Sequence, residues 1–311
     1  MELNNQNITL DDEDEYTLEG NCEDSIKLDN QITQELIQKG KLATCIIKGI
    51  NKNNSPITGT GFFCKIPFNN KTIKVLFTNN HILNENSISI GNTIKIIYQN
   101  QIKEIKITKE RLCCTDSSNK EGLDFTCIMI FDSDNIEDFY EIEYPNDNSN
   151  YENDEICLIQ YPKGGPIEIN SGHLKKIDGF NIFHSVTTDK GSSGSPMIFI
   201  YRNYKIIGIH RCFIKKKSIN LGINIKSILE KINESWNKNY FNIRIMDIKG
   251  DSVNAKVTKN TTIKEIKDLY SKIKGKNVNC IILYDGGVLG ENLTISQTRI
   301  DKNDQLLIYE K

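Results

Sequence analysis

Residues 43–78, ATCIIKGINKNNSPITGTGFFCKIPFNNKTIKVLFT, alternate short apolar runs with polar turns. Three runs, at 43–50, 58–66 and 73–78, are rich in Ile, Val and Phe, which suit the pleated surface of a sheet. The segments between them contain Asn, Ser and Pro, which favour turns. We therefore predict three consecutive β-strands over this stretch.

The same pattern continues to residue 210 and favours an all-β barrel or sandwich. The further candidate strands are 93–99, 102–108, 123–131, 155–161, 172–177, 196–201 and 204–210. Over 225–236 the period changes, because Ile228, Leu229 and Ile232 recur at helical spacing. We expect one helix there, closing a domain of about 200 residues, a size that one core can support.

A second pattern begins after residue 237. The Gly250-Asp251 pair predicts a hairpin turn, and Thr262 is a candidate helix cap. The candidate elements are strands 241–248 and 253–257, a helix from Thr262 to the stop at Gly275, and strands 280–289 and 305–310. We predict a small α+β domain at 240–311.

The charge distribution sets the first 34 residues apart. The 311-residue chain has a net charge of -2, but residues 1–30 contain ten Asp and Glu residues against Lys27 alone. Such a segment buries too little apolar surface to offset its ordering entropy. We predict a disordered acidic tail at 1–34, either solubilising or regulatory, then domains at 35–237 and 240–311.

Several classes of protein are disfavoured by the composition. The N-terminus lacks the apolar core of a signal peptide, and no apolar run approaches the roughly 18 residues of a membrane span. The nine cysteines form no CxxC pair, and most lie in apolar strand-like runs. With no metal-ligand cluster, phosphate-binding loop or basic stripe, we expect a cytoplasmic protein without metal, cofactor, nucleic-acid or membrane partner.

The segment Gly191-Ser192-Ser193-Gly194-Ser195-Pro196 has the composition of a nucleophile turn. A catalytic serine needs an accessible hydroxyl on a tight turn, with backbone N–H groups aimed at the developing oxyanion. Ser193 is then the nucleophile, and the Gly191 and Ser193 amides form the oxyanion hole. The alternative is an ordinary turn, because Gly and Ser are common in inert loops.

Two other residues complete a possible catalytic set. His81 directly follows the strand at 73–78, and Asp124 begins the apolar run at 123–131, where a carboxylate is costly unless it has a partner. Either residue alone can be structural. Their order with Ser193, and separations of 43 and 69 residues, leave room for the strands that a His-Asp-Ser triad requires.

With these motifs the chain resembles the trypsin-like serine peptidases over about residues 40–232. GTGFF (59–63), FTNNHIL (77–83), LDFTCIMI (123–130), GSSGSP (191–196) and IIGIH (206–210) correspond to landmarks of that superfamily. The resemblance implies an all-β double β-barrel with a C-terminal helix and endopeptidase activity on protein or peptide substrates. It also implies that His81 is general base and acid, that Asp124 orients it, and that Ser193 forms the acyl-enzyme.

Specificity follows from the same resemblance. The Gly-x-Ser-Gly-Ser-Pro form of the nucleophile turn resembles the glutamyl endopeptidase branch, which implies that Thr188 and His210 receive an acidic P1 side chain. A hydroxyl and an imidazole can bind a carboxylate, and Arg211 could add positive potential. His210 could instead line a pocket of another preference. We interpret His173 and His184 as structural or surface residues.

The C-terminal pattern resembles ubiquitin. The segments IILYDGGVLGENLTISQTRI (281–300) and DQLLIYE (304–310), with the element order above, imply a β-grasp fold. The sequence ends Tyr309-Glu310-Lys311 without Gly-Gly, so we expect a built-in module that binds a protein partner. Two alternatives to an active endopeptidase remain: a catalytically silent scaffold, and an adaptor working through the ubiquitin-like domain.

Overall fold

The structure is a computed structural model, and it describes residues 15–22, 26–50, 55–69, 71–117, 123–143, 151–237, 240–259, 261–275 and 279–310. The chain divides into two compact units, and the boundary lies between Asn233 and Glu234. Our finer domain limits, at residue 34 and at 237 and 240, stay predictions.

The N-terminal unit begins with β1 (Tyr16–Thr17) and helix α1 (Asn30–Ala43), followed by a seven-stranded antiparallel sheet. The strands of this sheet are β2 (Thr44–Ile50), β3 (Pro56–Phe68), β4 (Lys71–Thr78), β5 (Thr93–Tyr98), β6 (Gln101–Lys106), β7 (Cys113–Asp116) and β8 (Phe125–Met129). Their order is β6-β5-β2-β3-β4-β8-β7. Fully buried Ile47, Phe63 and Leu76 lie in its core.

The ladder of this sheet ends at β6 and β7, and the side chain of Arg111 spans the connection between them. Its guanidinium donates to the carbonyl of Lys106, at the end of β6, and to the carbonyl of Met129, at the end of β8. Asp134 pairs with the same buried guanidinium at 2.7 Å. A charge this deeply buried needs such a partner, and the bonds of Arg111 link the β6 edge of the sheet to β8, beside the opposite edge.

The second sheet of the N-terminal unit is a closed barrel. Its six strands are β9 (Glu155–Gln160), β10 (Glu168–Asp178), β11 (Asn181–His184), β12 (Pro196–Phe199), β13 (Ile206–Ile214) and β14 (Ile219–Asn224). They follow the order β13-β12-β9-β10-β11-β14, and β14 pairs again with β13 to close the ring. Helix α2 (Ile225–Asn237) follows, with Ile225 and Ile228 fully buried.

The predicted fold class is confirmed: two antiparallel sheets, one closed into a barrel, precede a helix and a β-grasp unit. All the candidate strands are present, except that the single strand predicted at 280–289 is two strands separated by a turn at 285–286. The sequence analysis did not predict α1, β7, β11 or β14. In α1 the buried residues are Leu36, Gly40 and Ala43, two of which are too small to make an apolar stripe visible.

The structure corrects the tail prediction for part of residues 1–34. Strand β1 pairs with Phe213 and Ile214 of β13, and Gly20 pairs with Thr188 through backbone bonds in both directions. A side chain at Gly20 would collide with the ring of Phe213. Backbone pairing, which a composition argument ignores, orders this segment. Residues 1–14 and 23–25 lie outside the described residues.

The C-terminal unit has a mixed five-stranded sheet in the order β16-β15-β19-β17-β18. Its elements are β15 (Tyr240–Asp247), β16 (Ser252–Thr258), helix α3 (Ile263–Lys274), β17 (Cys280–Tyr284), β18 (Gly287–Val288) and β19 (Gln305–Glu310). Strands β15 and β19 are parallel, and Ile266 and Tyr270 of α3 are fully buried in the core. This is the predicted β-grasp.

Helix α3 begins and ends as the sequence predicts. Thr262 and Glu265 form a reciprocal capping box, and Gly275 ends the helix in the left-handed conformation at φ 68°.

Among the described helices, none combines the length and the apolar composition that a membrane span requires.

Candidate active site

His81 lies in a tight turn at the end of β4. The amides of Ile82 and Leu83 donate to the carbonyl of Asn79 and close this turn. The side-chain amide of Asn79 donates to the carbonyl of Asp124 at 2.8 Å, so the turn is tied to the start of β8. Two neighbouring strands of one sheet therefore bring His81 and Asp124 together.

Asp124 holds His81 through both of its carboxylate oxygens. Oδ2 lies 2.6 Å from His81 Nδ1, and Oδ1 accepts the His81 backbone amide at 3.0 Å. Burial alone would raise the pKa of Asp124, but the charge and hydrogen bonds of His81, together with the Arg211 guanidinium, outweigh burial and lower that pKa. The ionised carboxylate accepts the proton of Nδ1, which leaves Nε2 as the ring's free acceptor.

The turn that carries Ser193 exposes two backbone donors. Gly191 and Gly194 have φ of 101° and 86°, a conformation that glycine adopts without strain. Four of the amides from 190 to 195 have acceptors. The Lys190 amide donates to Asp189 Oδ1, and the Ser192 amide donates to the Asp189 carbonyl. The Gly194 amide donates to the His210 carbonyl, and the Ser195 amide donates to the Ser192 carbonyl. Within the described part of the chain, the Gly191 and Ser193 amides have no acceptor. These are the two donors predicted for the oxyanion hole.

Ser193 Oγ and His81 Nε2 are both buried, and neither has a hydrogen-bond partner among the described residues. Gly59 of β3 lies close to the backbone of Ser193: a methyl group placed there would touch the Ile82 side chain at 2.7 Å and the Ser193 carbonyl at 3.0 Å. The structure therefore joins His81 to Asp124 by hydrogen bonds, and it does not join His81 to Ser193. An unpaired donor and an unpaired acceptor remain buried beside the turn.

His210 forms a buried pair with His184. Nδ1 of His210 lies 3.2 Å from Nε2 of His184, and Nδ1 of His184 accepts the amide of Val186 at 3.3 Å. Because His184 Nδ1 accepts, its proton is on Nε2 and points to His210. His210 then carries its own proton on Nε2, which has no partner within the described residues.

Both of these histidines are neutral near pH 7. Burial and the neighbouring His81 lower the pKa of His210 to about 3. Burial and His210 lower the pKa of His184 well below its usual value. His210 therefore offers a neutral N–H donor.

Thr188 is tied to the barrel wall. Its hydroxyl donates to Asn220 Oδ1 at 2.9 Å, and the Asn220 amide donates to the Val186 carbonyl at 2.7 Å. The amide of Gly20 also donates to the Thr188 hydroxyl. With its proton directed at Asn220, Thr188 can accept but cannot readily donate a hydrogen bond to a ligand.

Arg211 and His173, which the sequence analysis also named, make few contacts with the catalytic candidates. The Nε of Arg211 lies 3.9 Å from Asp124 Oδ2, beyond hydrogen-bond distance but close enough to contribute positive potential. The backbone of His173 in β10 donates to Ser185 Oγ. In the described residues, no group of three or more His, Cys, Asp or Glu is placed to hold a metal ion.

Three residues at this site were missed or misjudged from the sequence: His184, Asn220 and Thr60. His184 is the partner of His210, and Asn220 is the fully buried acceptor of Thr188. Thr60 is fully buried between two glycines and binds the nucleophile turn. For Thr60 there was a signal, since a β-branched polar residue inside the predicted strand 58–66 needs a buried partner.

One family model matches the C-terminal unit. Residues 241–309 match the Rad60-SLD family, described as "Ubiquitin-2 like Rad60 SUMO-like". This agrees with the β-grasp topology, and the C-terminal unit is a ubiquitin-like domain. A comparison of the whole sequence with characterised proteins finds no match.

Several solved structures resemble about two thirds of the chain. A serine endoprotease from Yersinia pestis is 14% identical, over 70% of this chain and 71% of that chain, with a TM-score of 0.48. A Glu endopeptidase in complex with MPD is 18% identical, over 70% and 98%, with a TM-score of 0.46. The active form of the Rv3671c protease from M. tuberculosis is 12% identical, over 67% and 87%, with a TM-score of 0.47. At such identities and TM-scores, these likenesses do not bear on what the chain does.

Proposed function

We propose that the N-terminal unit is a serine endopeptidase with His81, Asp124 and Ser193 as its catalytic triad. The observation that carries this proposal is the set of unpaired groups around one turn. Among the described residues, Ser193 Oγ, His81 Nε2 and the Gly191 and Ser193 amides lack partners, while the other backbone amides from 190 to 195 are bonded. A site built for stability alone would pair these buried donors and acceptors.

The reaction follows from the chemistry of these groups. Ser193 Oγ attacks the scissile carbonyl carbon as its proton passes to His81 Nε2, which Asp124 holds in the required tautomer. The negative charge on the carbonyl oxygen is stabilised by the two free amides. His81 returns the proton to the leaving amine as the C–N bond breaks, and water then hydrolyses the acyl-enzyme to release the acid.

The first step requires a hydrogen bond between Ser193 Oγ and His81 Nε2. Ser193 Oγ and His81 Nε2 are not bonded to one another here, and catalytic hydrogen bonds are often long in proteins without substrate. We propose that bound substrate brings the two atoms into contact.

The groups beside the turn favour an acidic P1 side chain. The support is the free Nε2–H of His210, whose direction is fixed through His184 and the Val186 amide. A carboxylate that accepts this proton would also favour the charged imidazole. Thr188 contributes through Asn220 as part of the pocket wall and is not assigned a donor role.

We propose that the ubiquitin-like unit binds a protein partner, and the support is its match to a SUMO-like family over residues 241–309. All nine cysteines are free, which is usual in a reducing compartment, and we propose a cytoplasmic location.

The proposal is tested with a fluorophosphonate probe, which reacts with an activated serine. Wild type should be labelled, and Ser193→Ala should lower labelling by a factor on the order of 10⁶. Ser195→Ala is the matched control, because Ser195 is equally buried and lies two residues away on the same turn. Unlabelled wild type would reject the peptidase in favour of a silent scaffold, and equal labelling of Ser193→Ala would show that Ser193 is not the nucleophile.

A further inference from the structure

Thr60 links the seven-stranded sheet to the nucleophile turn of the barrel. It lies in β3, between Gly59 and Gly61, and its side chain is fully buried. Its neighbours in the sheet are Ile46 of β2 and, through its carbonyl, the hydroxyl of Thr78. The residue is therefore rigidly placed by one sheet while its side chain contacts the other.

The hydroxyl of Thr60 makes two directed hydrogen bonds. Oγ1 donates its single proton to the Gly191 carbonyl at 2.9 Å and accepts the Tyr161 amide at 3.2 Å. Because a hydroxyl has one proton, the bond from Tyr161 leaves that proton free for Gly191. The backbone amide of Thr60 donates to the Ser193 carbonyl at 2.8 Å. One residue thus holds the carbonyls on both sides of Ser192.

Neighbouring contacts fix the remaining peptide planes of the turn. The Lys163 amide donates to the Lys190 carbonyl at 2.6 Å, and since a trans peptide directs C=O and N–H oppositely, the Gly191 N–H points away from Lys163. A methyl group on Gly191 would come within 2.6 Å of the Tyr161 carbonyl. The plane between Gly191 and Ser192 depends on Thr60 at its carbonyl end and on Asp189 at its amide end.

We propose that Thr60 is a positioning residue, whose hydroxyl holds the Gly191 and Ser193 amides in the geometry of the oxyanion hole. The inference rests on the proposed function and deepens it. Gly191 has no side chain to restrain it and sits at a φ of 101°, so its peptide planes need external contacts. Thr60 supplies one of these contacts, and losing it frees the plane that joins the two donors.

Two substitutions separate the hydroxyl from the rest of the side chain. Thr60→Val keeps the volume and branching but leaves the Gly191 carbonyl and the Tyr161 amide without their shared partner. Thr60→Ser keeps the hydroxyl. Thr44→Val is the matched control: Thr44 is a fully buried strand threonine whose hydroxyl donates to the Gly40 carbonyl and contacts the Tyr161 hydroxyl at 3.1 Å, and among the described residues it has no hydrogen bond to residues 189–195.

The first readout is the kinetics of fluorophosphonate labelling, because phosphonylation of Ser193 also develops charge on an oxygen in the hole. We expect Thr60→Val to lower the maximal labelling rate by about 10- to 100-fold, with the half-saturating probe concentration changed less than about 2-fold. Thr60→Ser should recover the wild-type rate, and Thr44→Val should match it. A wild-type rate in Thr60→Val would overturn the proposal.

The second readout does not require activity. Hydrogen exchange of the Ser192 amide, which shares a peptide plane with the Gly191 carbonyl, should be about 10-fold faster in Thr60→Val than in wild type or Thr60→Ser. If wild type is never labelled, the peptidase is rejected and the exchange rate alone decides whether Thr60 holds the turn. Unchanged exchange in Thr60→Val would reject the positioning role.

Discussion

The two units differ in how completely their buried polar groups are paired. Among the described residues from 240 onwards, every buried side-chain nitrogen and oxygen has a hydrogen-bond partner. In the N-terminal unit several lack one, and Asn79, His81, Ser193, Ser195 and His210 lie at or beside the nucleophile turn. Hydrogen bonds to all buried polar groups stabilise the fold. A cluster of buried polar groups without such partners indicates a site for a ligand.

Two buried aspartates make this difference concrete. Asp247 in the C-terminal unit accepts the amides of Lys249 and Asp251 and pairs with Lys274, so it closes a turn. The two carboxylate oxygens of Asp124 bind the ring and the backbone amide of His81. Nε2 of the same ring has no hydrogen-bond partner among the described residues. Asp247 therefore has a structural role, while the role proposed for Asp124 is to orient His81.

The largest expected effect tests this contrast between aspartates. Asp124→Asn should lower fluorophosphonate labelling by about 10⁴-fold, because an amide favours the wrong tautomer of His81. Asp247→Asn should leave the labelling rate unchanged and lower the free energy of unfolding instead. Rates are measured by gel-based labelling and stability by urea unfolding. Wild-type labelling by Asp124→Asn would remove the distinction.

A smaller effect is expected at the pair formed by His184 and His210. His210→Ala removes the free N–H donor, and cleavage of peptides with Glu at P1, relative to Gln, should fall by about 100-fold. His173→Ala is the control, since His173 has no place in the pair. The ratio is read from a matched pair of fluorogenic peptides. A preference for Glu that survives in His210→Ala would contradict the assignment of the pocket.

The smallest effect concerns the dependence of stability on pH. Since burial lowers the pKa of His210 to about 3, the unfolded chain takes up a proton below its usual value of 6.5 while the folded chain does not. The stability contributed by His210 is thus complete above pH 6.5 and is lost as the pH falls toward 3. The loss should be about 1.4 kcal/mol per pH unit from this residue.

His210→Gln provides the comparison for that slope. Its free energy of unfolding should fall less steeply between pH 6.5 and 5, although His184 still contributes because its pKa is also lowered by burial. Urea unfolding at several pH values gives both slopes. Identical slopes for the two proteins would mean that His210 is not held neutral by its surroundings.

The residues proposed for the site could be read from the sequence, whereas their contacts could not. Ser193, His81 and Asp124 stand in local motifs whose composition is readable without a structure. The partner of Thr60 is 131 residues away and the partner of Thr188 is 32 residues away, so periodicity and turn chemistry hold no information about them. Packing of the seven-stranded sheet against the barrel brings Thr60 to Gly191, and closure of the barrel brings Asn220 to Thr188.

The missed strand β14 shows the same limit in the fold. All six of its residues, Ile219–Asn224, are buried, so the alternation that marks a half-exposed strand is absent. Asn220 within it is satisfied by Val186 and Thr188. Polar residues that pair inside a barrel resemble a loop when only the sequence is read.

The short strand β1 has a further consequence for handling the protein. Tyr16 and Thr17 pair with the backbone of Ile214 and Phe213 at the edge of β13. Glu15 adds an ion pair with Lys215 at 2.6 Å. A shortened chain that began at residue 26 would leave those groups open to water. Open strand margins of this kind are templates for self-association, so such a fragment should be more prone to aggregate than the full chain.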